Sequence, residues 1–207
     1  MTTDDKALFT NQSAMLLYGV SAVLVGPTLP GMIATFGLTL GKAGLIGAMQ
    51  NVGGLLGALL TLWIADRVSH PKAVVASYLL LAVALFAVGM SGTYLLLLTA
   101  FAATGLFIRI LDVMLNAHTG DIAGEGSGRH LSTLHMFYSI GAFAGPMAAR
   151  AILSAGLGWS EVYSYIGVGY VVVAVAAIAW LKAYVRVERR TSRRSGEPAH
   201  ERPGAEM

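Results

Sequence analysis

The sequence contains no cysteine. That excludes thiol nucleophiles, disulfide frameworks and thiolate-held zinc. Charge is nearly as scarce. Asp, Glu, Lys and Arg make up 12% of the 207 residues, about half of the ~25% usual in soluble domains. A soluble globule could not cover so much apolar side chain with so little charge, and a disordered chain would carry more of it. Period-two alternation is missing too, which argues against a transmembrane β-barrel. Met1–Lys6 is acidic and polar, so it lacks the basic start of a secretory signal and the first span is expected to be retained. No glycine-rich run leads into Lys-Ser/Thr, so there is no phosphate loop. No cofactor is expected.

What is present is apolar. Hydrophobic residues make up 56% of the chain, and 25 of the 207 residues are glycine. About 20 apolar residues cross the hydrocarbon core as a helix. The uncharged runs predict an all-α membrane protein with six transmembrane helices, at roughly 14–36, 43–65, 73–90, 93–117, 131–155 and 160–182. Ala73–Ile108 is uncharged throughout and too long for one span; Gly89-Met90-Ser91-Gly92-Thr93 divides it. Residues 1–13 form a polar amino-terminal segment, 14–184 the helical domain, and 185–207 a basic tail expected to be disordered.

Basic residues set the expected orientation. With both termini cytoplasmic, Lys6, Arg67, Lys72, Arg129 and the seven basic residues between Lys182 and Arg202 lie inside, while Lys42 and Arg150 lie outside. This is a strong positive-inside bias. It implies a multi-pass protein of the cell membrane, an inner membrane in a bacterium, with the lipid bilayer as partner. The basic tail follows a hydrophobic span, so it reads as a membrane flank and no nucleic-acid partner is expected.

Small residues and prolines mark where helices pack or bend. Gly53 and Gly57 share one face of the second span, and Gly141 and Gly145 one face of the fifth, followed by Pro146. The first span holds Gly26, Pro27, Pro30 and Gly31. A proline inside a span frees backbone groups and bends the helix.

The fourth span carries the main chemistry. Arg109, Asp112 and Asn116 are spaced i, i+3, i+7, within about 60° of one helix face at ~100° per residue. Insertion of a charged residue mid-span costs ~2.5–3.5 kcal/mol, so such a face is a functional candidate. The competing reading is an Arg109–Asp112 ion pair near the inner interface. His135 and Tyr138 follow in the fifth span, as polar residues that either face a cavity or bond between helices. Tyr18 and Ser21 in the first span are weaker candidates of the same kind. His118, Asp121, Glu125 and His130 cluster between spans four and five, but they lack helical His-x-x-x-His spacing and no metal site is expected.

Leu62-Trp63-Ile64-Ala65-Asp66-Arg67-Val68-Ser69-His70-Pro71-Lys72 resembles the G-x-L-A-D-R-x-G-R-K signature of the major facilitator family, at the same turn between spans two and three. Leu62, Ser69 and His70 depart from it. By this resemblance, Asp66, Arg67 and Lys72 form a conformational latch. Leu111-Asp112-Val113-Met114-Leu115-Asn116 is similar to the Leu-Glu-x-x-x-Asn stretch of the fucose/galactose–proton symporters. Arg129 to Gly141 resembles their Arg-Leu-Asn-Leu-x-Gln-x-Phe-Asn-x-x-Gly segment. The likeness covers the six spans, the amino-terminal half of a twelve-span facilitator. It implies that Asp112 is a proton-coupling carboxylate and that Asn116, His135 and Tyr138 stand near a sugar-facing surface. Gly26 stands where those symporters have a second acid.

The expected function is a half-size secondary transporter of a small polar, sugar-like solute, a proton symporter by resemblance. It would work by alternating access as a homodimer or with a second six-helix half. The glycine faces of spans two and five are the expected seams. The alternative is a structural or regulatory membrane protein, or a remnant of a twelve-helix transporter. An enzyme is not expected, because no catalytic cluster stands at either face.

Overall fold

The computed structural model describes residues 2–65, 67–124 and 127–195, with 180–195 as backbone. Seven helices account for nearly all of it. They are α1 (Thr3–Val23), α2 (Val25–Phe36), α3 (Leu40–Ala65), α4 (His70–Gly89), α5 (Tyr94–Ala123), α6 (Ser127–Ser154) and α7 (Trp159–Ser195). Among the described residues there is no strand. Five helices are each long and apolar enough to cross a membrane, and α1 with α2 forms a sixth candidate, bent by 47°.

The bend falls at Leu24, just ahead of the Gly26-Pro27 step. Pro27 has no N–H to bond the carbonyl of Val23, and its ring crowds that carbonyl. The helix therefore stops at Val23 and restarts at Val25. A Cβ on Gly26 would meet nothing within 4 Å, so close packing does not require glycine there. Pro30 lies inside α2 and Pro146 inside α6. Gly37 closes α2 in the left-handed conformation, φ 59°, which glycine adopts without steric cost.

Two helix pairs build the bundle. In α3–α5, a Cβ on Gly53 would strike the Ala102 carbonyl, one on Gly57 the Leu106 carbonyl, and one on Gly105 the Gln50 carbonyl. In α1–α6, Gly141 meets the Leu16 carbonyl, Gly19 the Tyr138 carbonyl, and Gly145 lies against Val20 and Val23. Lipid gives helices no hydrophobic reason to associate, so close backbone approach does the work. This corrects the expected seam at Gly53, Gly57, Gly141 and Gly145, whose close contacts are made within this chain. The opposite faces of α3 and α6, with Leu55, Leu59, Phe143 and Met147, are exposed.

α4 and α7 back these pairs. α4 has the most internally buried span, 56%, against 28% for α3 and 17% for α6. Its Val74, Tyr78, Leu81, Leu85 and Val88 are fully enclosed. α7 is pinned to the bent span by buried hydroxyls: Tyr163 to Thr28 at 3.1 Å and Tyr170 to Ser21 at 3.4 Å. Trp159 Nε1 donates to Thr35 Oγ1 at 3.0 Å, and its ring meets Phe36 at 5.9 Å. α7 continues to Ser195, past the expected tail boundary at 185. The Lys, Arg and Glu of that stretch are good helix formers. Residues 196–207 lie outside the described residues.

The packing makes a paired prediction. Gly53→Ala should destabilise the protein by ~1–3 kcal/mol through overpacking against α5. Gly47→Ala, where a Cβ would meet nothing within 4 Å, should be neutral or stabilising by up to ~1 kcal/mol. Thermal unfolding in lipid nanodiscs measures both, and equal effects would contradict the packing described.

Candidate functional site

The polar face of α5 turns towards α1, α3 and α6. Arg109 Nη1 donates to Asp112 Oδ2 at 3.1 Å. The Asn116 amide donates to the Asp112 carbonyl at 2.8 Å and to Asp112 Oδ1 at 3.2 Å. Its own oxygen, Oδ1, lies 3.1 Å from His135 Nε2 on α6. Because Nδ2 is committed to the carboxylate, the oxygen must accept, so His135 carries a proton on Nε2. One hydrogen-bonded chain thus runs Arg109–Asp112–Asn116–His135 and ties α5 to α6.

The two partners of its ion pair differ in exposure. The Arg109 side chain is 48% exposed and that of Asp112 18%. The acid is held by two side chains and largely covered, while the guanidinium is half open. Tyr18 of α1 and Tyr138 of α6 close the arrangement, ring centroids 5.0 Å apart and tilted by 59°.

An open cleft of about 650 Å³ adjoins Arg109, with Tyr18, Gln50, Asn51, Gly54 and Ile108 among its walls. Gln50 and Asn51 were not singled out from the sequence. Two adjacent amides inside an otherwise apolar span were the available signal, since uncompensated polar groups are rare there. Among the described residues neither amide has a side-chain hydrogen-bond partner, so both keep unused donors and acceptors.

The other expected groups lie apart from this cleft. Arg67 stacks over Trp63, 4.4 Å from its ring centroid, and donates to the Trp63 carbonyl at 3.0 Å. Lys72 is exposed, and neither cation has an ion pair among the described residues. Asp66 lies outside the described residues. What joins this turn to α5 is His70 Nδ1, 2.6 Å from Asp121 Oδ2. His118 is buried, its Nδ1 3.2 Å from Asn11 Nδ2, which also donates to Thr119 Oγ1 at 3.1 Å. Among the described residues no three His, Asp or Glu side chains are placed to hold a metal; Glu125 lies outside them. Ser21 and Ser139 bond back to their own helices, at the carbonyls of Leu17 and His135.

Comparison with known proteins gives a consistent set of matches. A sequence model of the Major Facilitator Superfamily matches residues 13–205. Sodium-dependent glucose transporter 1 of Rattus norvegicus is 28% identical over 138 residues, covering 67% of this chain and 28% of that protein. The gallate transporter of Pseudomonas putida is 28% identical over 153 residues, covering 73% of this chain and 34% of that protein. The crystal structure of the peptide transporter POT in complex with sulfate superposes with a TM-score of 0.73 at 20% identity, over 84% of this chain and 37% of the other. This chain thus spans only about a third of the length of these relatives, 28% and 34% in the two sequence matches.

The hydrogen-bonded chain predicts coupling between Asn116 and His135. Asn116→Leu leaves Asp112 Oδ1 and His135 Nε2 without their partner, at a cost of ~1–3 kcal/mol. A double-mutant cycle with His135→Leu should return a coupling of ~0.5–1.7 kcal/mol. Strict additivity in thermal unfolding would mean that the two side chains do not interact.

Proposed function

The chain belongs to the Major Facilitator Superfamily, and on that premise we propose that it is one six-helix half of a secondary transporter for a small polar solute. The observation that carries this reading is the cleft beside Arg109, where the polar faces of α1, α3 and α5 converge. In secondary transporters the substrate site lies near the midplane between structural repeats, which rock around it. A second copy of this chain, or a second six-helix half, would complete the enclosure. Glucose and gallate, named for two of the relatives, are the first solutes to try.

Each polar group then has a part. Asp112 is the coupling carboxylate, adjacent to a cation that the transport cycle can move. Asn116, His135 and Tyr138 carry the site from α5 to α6, and Gln50 and Asn51 offer amides from α3. The turn between α3 and α4 is the latch. Arg67 and Lys72 stand there, Asp66 adjoins Arg67 in sequence, and the His70–Asp121 pair ties α4 to α5 beside them. Both termini face the cytoplasm, a reading supported by the distribution of Lys and Arg.

Three measurements test this. Native mass spectrometry of protein extracted with its lipid should give a homodimer or a complex with a second six-span chain; a persistent monomer would overturn the two-half reading. In proteoliposomes, uptake of labelled glucose or gallate should fall to background in Asp112→Asn, and an unchanged rate and pH profile would remove Asp112 from the coupling role. A reporter active only in the cytoplasm should be active when fused to either end of the chain.

A further inference from the structure

We infer that the cleft takes a solute bearing a carboxylate, which Arg109 binds in competition with Asp112. The inference rests on the transporter reading above and narrows its substrate from any small polar solute to an organic anion.

The argument begins with charge. Of the described residues lining the cleft, Arg109 is the only one that carries a formal charge. The remaining walls are apolar or neutral, among them Tyr18, Gly54, Leu55 and Ile108. Asp112, which does not line the cleft, offsets that charge while it pairs with Arg109; once the pair opens, the low-dielectric walls focus the field of Arg109 into the cleft and favour an anion there. A neutral sugar can hydrogen-bond to Gln50, Asn51 or the guanidinium, but it gains no charge–charge attraction there.

Geometry gives the second step. A guanidinium presents five N–H donors in a planar fork that matches a carboxylate in bidentate fashion. Asp112 occupies only Nη1, through a single oxygen at 3.1 Å. The other Asp112 oxygen is held by Asn116 at 3.2 Å. Asp112 can therefore stay anchored to Asn116 while Arg109, 48% exposed, turns its fork to an incoming carboxylate. Gln50 and Asn51 line the same cleft and can hydrogen-bond the hydroxyl or carbonyl groups of the rest of the solute. In this arrangement Asp112 is the internal occupant of Arg109 and the solute is its replacement.

The test uses the full chain in lipid nanodiscs and three matched probe pairs: acetate with acetamide, benzoate with benzamide, gluconate with glucose. Binding is read by isothermal titration and by the shift in unfolding temperature. At least one carboxylate should bind and its neutral partner should not. Arg109→Gln should weaken that binding roughly tenfold or more, the scale of one lost charge-assisted hydrogen bond. Asp112→Asn should strengthen it, because the internal competitor loses its charge. Arg109→Lys, which keeps the charge and loses the fork, should fall between wild type and Arg109→Gln, so the result does not hang on one variant folding. Binding of a neutral partner as tight as its carboxylate, with sensitivity to Gln50→Leu or Asn51→Leu, would overturn the anion inference and leave the transporter reading in place. Carboxylate binding unchanged in both Arg109 variants, or weakened by Asp112→Asn, would also overturn the inference alone. No binding by any probe to the folded protein would count against both.

Discussion

The closeness of two pairs of backbones governs this structure. α3 lies on α5 and α1 on α6 with glycine Cα atoms against carbonyl oxygens. No side chain larger than hydrogen fits at Gly53, Gly105 or Gly141 without moving a neighbour. Such contacts fix each helix in rotation as well as in distance. Once α5 is docked through Gly105, its residues Arg109, Asp112 and Asn116 must leave on the side that α1, α3 and α6 share. The polar site is therefore a consequence of the glycine packing, and its depth is set by how near α3 comes to α5.

The second constraint is the cost of polarity in an apolar interior. Buried hydroxyls and amides in this fold are mostly paired, either back to their own helix, as Thr61 and Thr104 are, or across helices, as Thr28 with Tyr163. Unsatisfied groups in such surroundings are expensive. Against that background, the half-exposed Arg109 side chain and the two amides of α3, which have no side-chain partner among the described residues, stand out. They are polar groups for which the half offers no complete set of partners, and they all face one cleft.

Much of this was legible in the sequence because composition and spacing depend on single helices. The uncharged runs, the break near Pro27 and the i, i+3, i+7 face of α5 require only one segment each. What could not be read was the rotation of one helix against another. Gly53 and Gly57 announce a packing face without saying which neighbour takes it, and they turned inward to α5 and away from any seam. Gln50 and Asn51 gain meaning only when α3 is placed beside Arg109. His70 and Asp121 are 51 residues apart, and Asn11 and His118 are 107 apart; such pairings leave no periodic trace. The likeness to the facilitator signature pointed to the same turn, yet among the described residues the contact joining it to α5 is made by His70, a departure from the motif.

The bend at Leu24 has a mechanical consequence. α2 has 12 residues, a rigid arm of ~18 Å at 1.5 Å per residue. Beyond the bend it is fastened to α7 at two places, a third of the way along at Thr28 and near its tip at Thr35 and Phe36. A turn of about 10° at the bend would sweep the tip by ~3 Å, given that length. That is one hydrogen-bond length, sufficient to break the Trp159–Thr35 contact, while the displacement at Thr28 would be only ~1 Å, given its place about a third of the way along the arm. The first span is thus a lever with its fulcrum at Leu24, and small rotations there are amplified at the end where α2 meets α3.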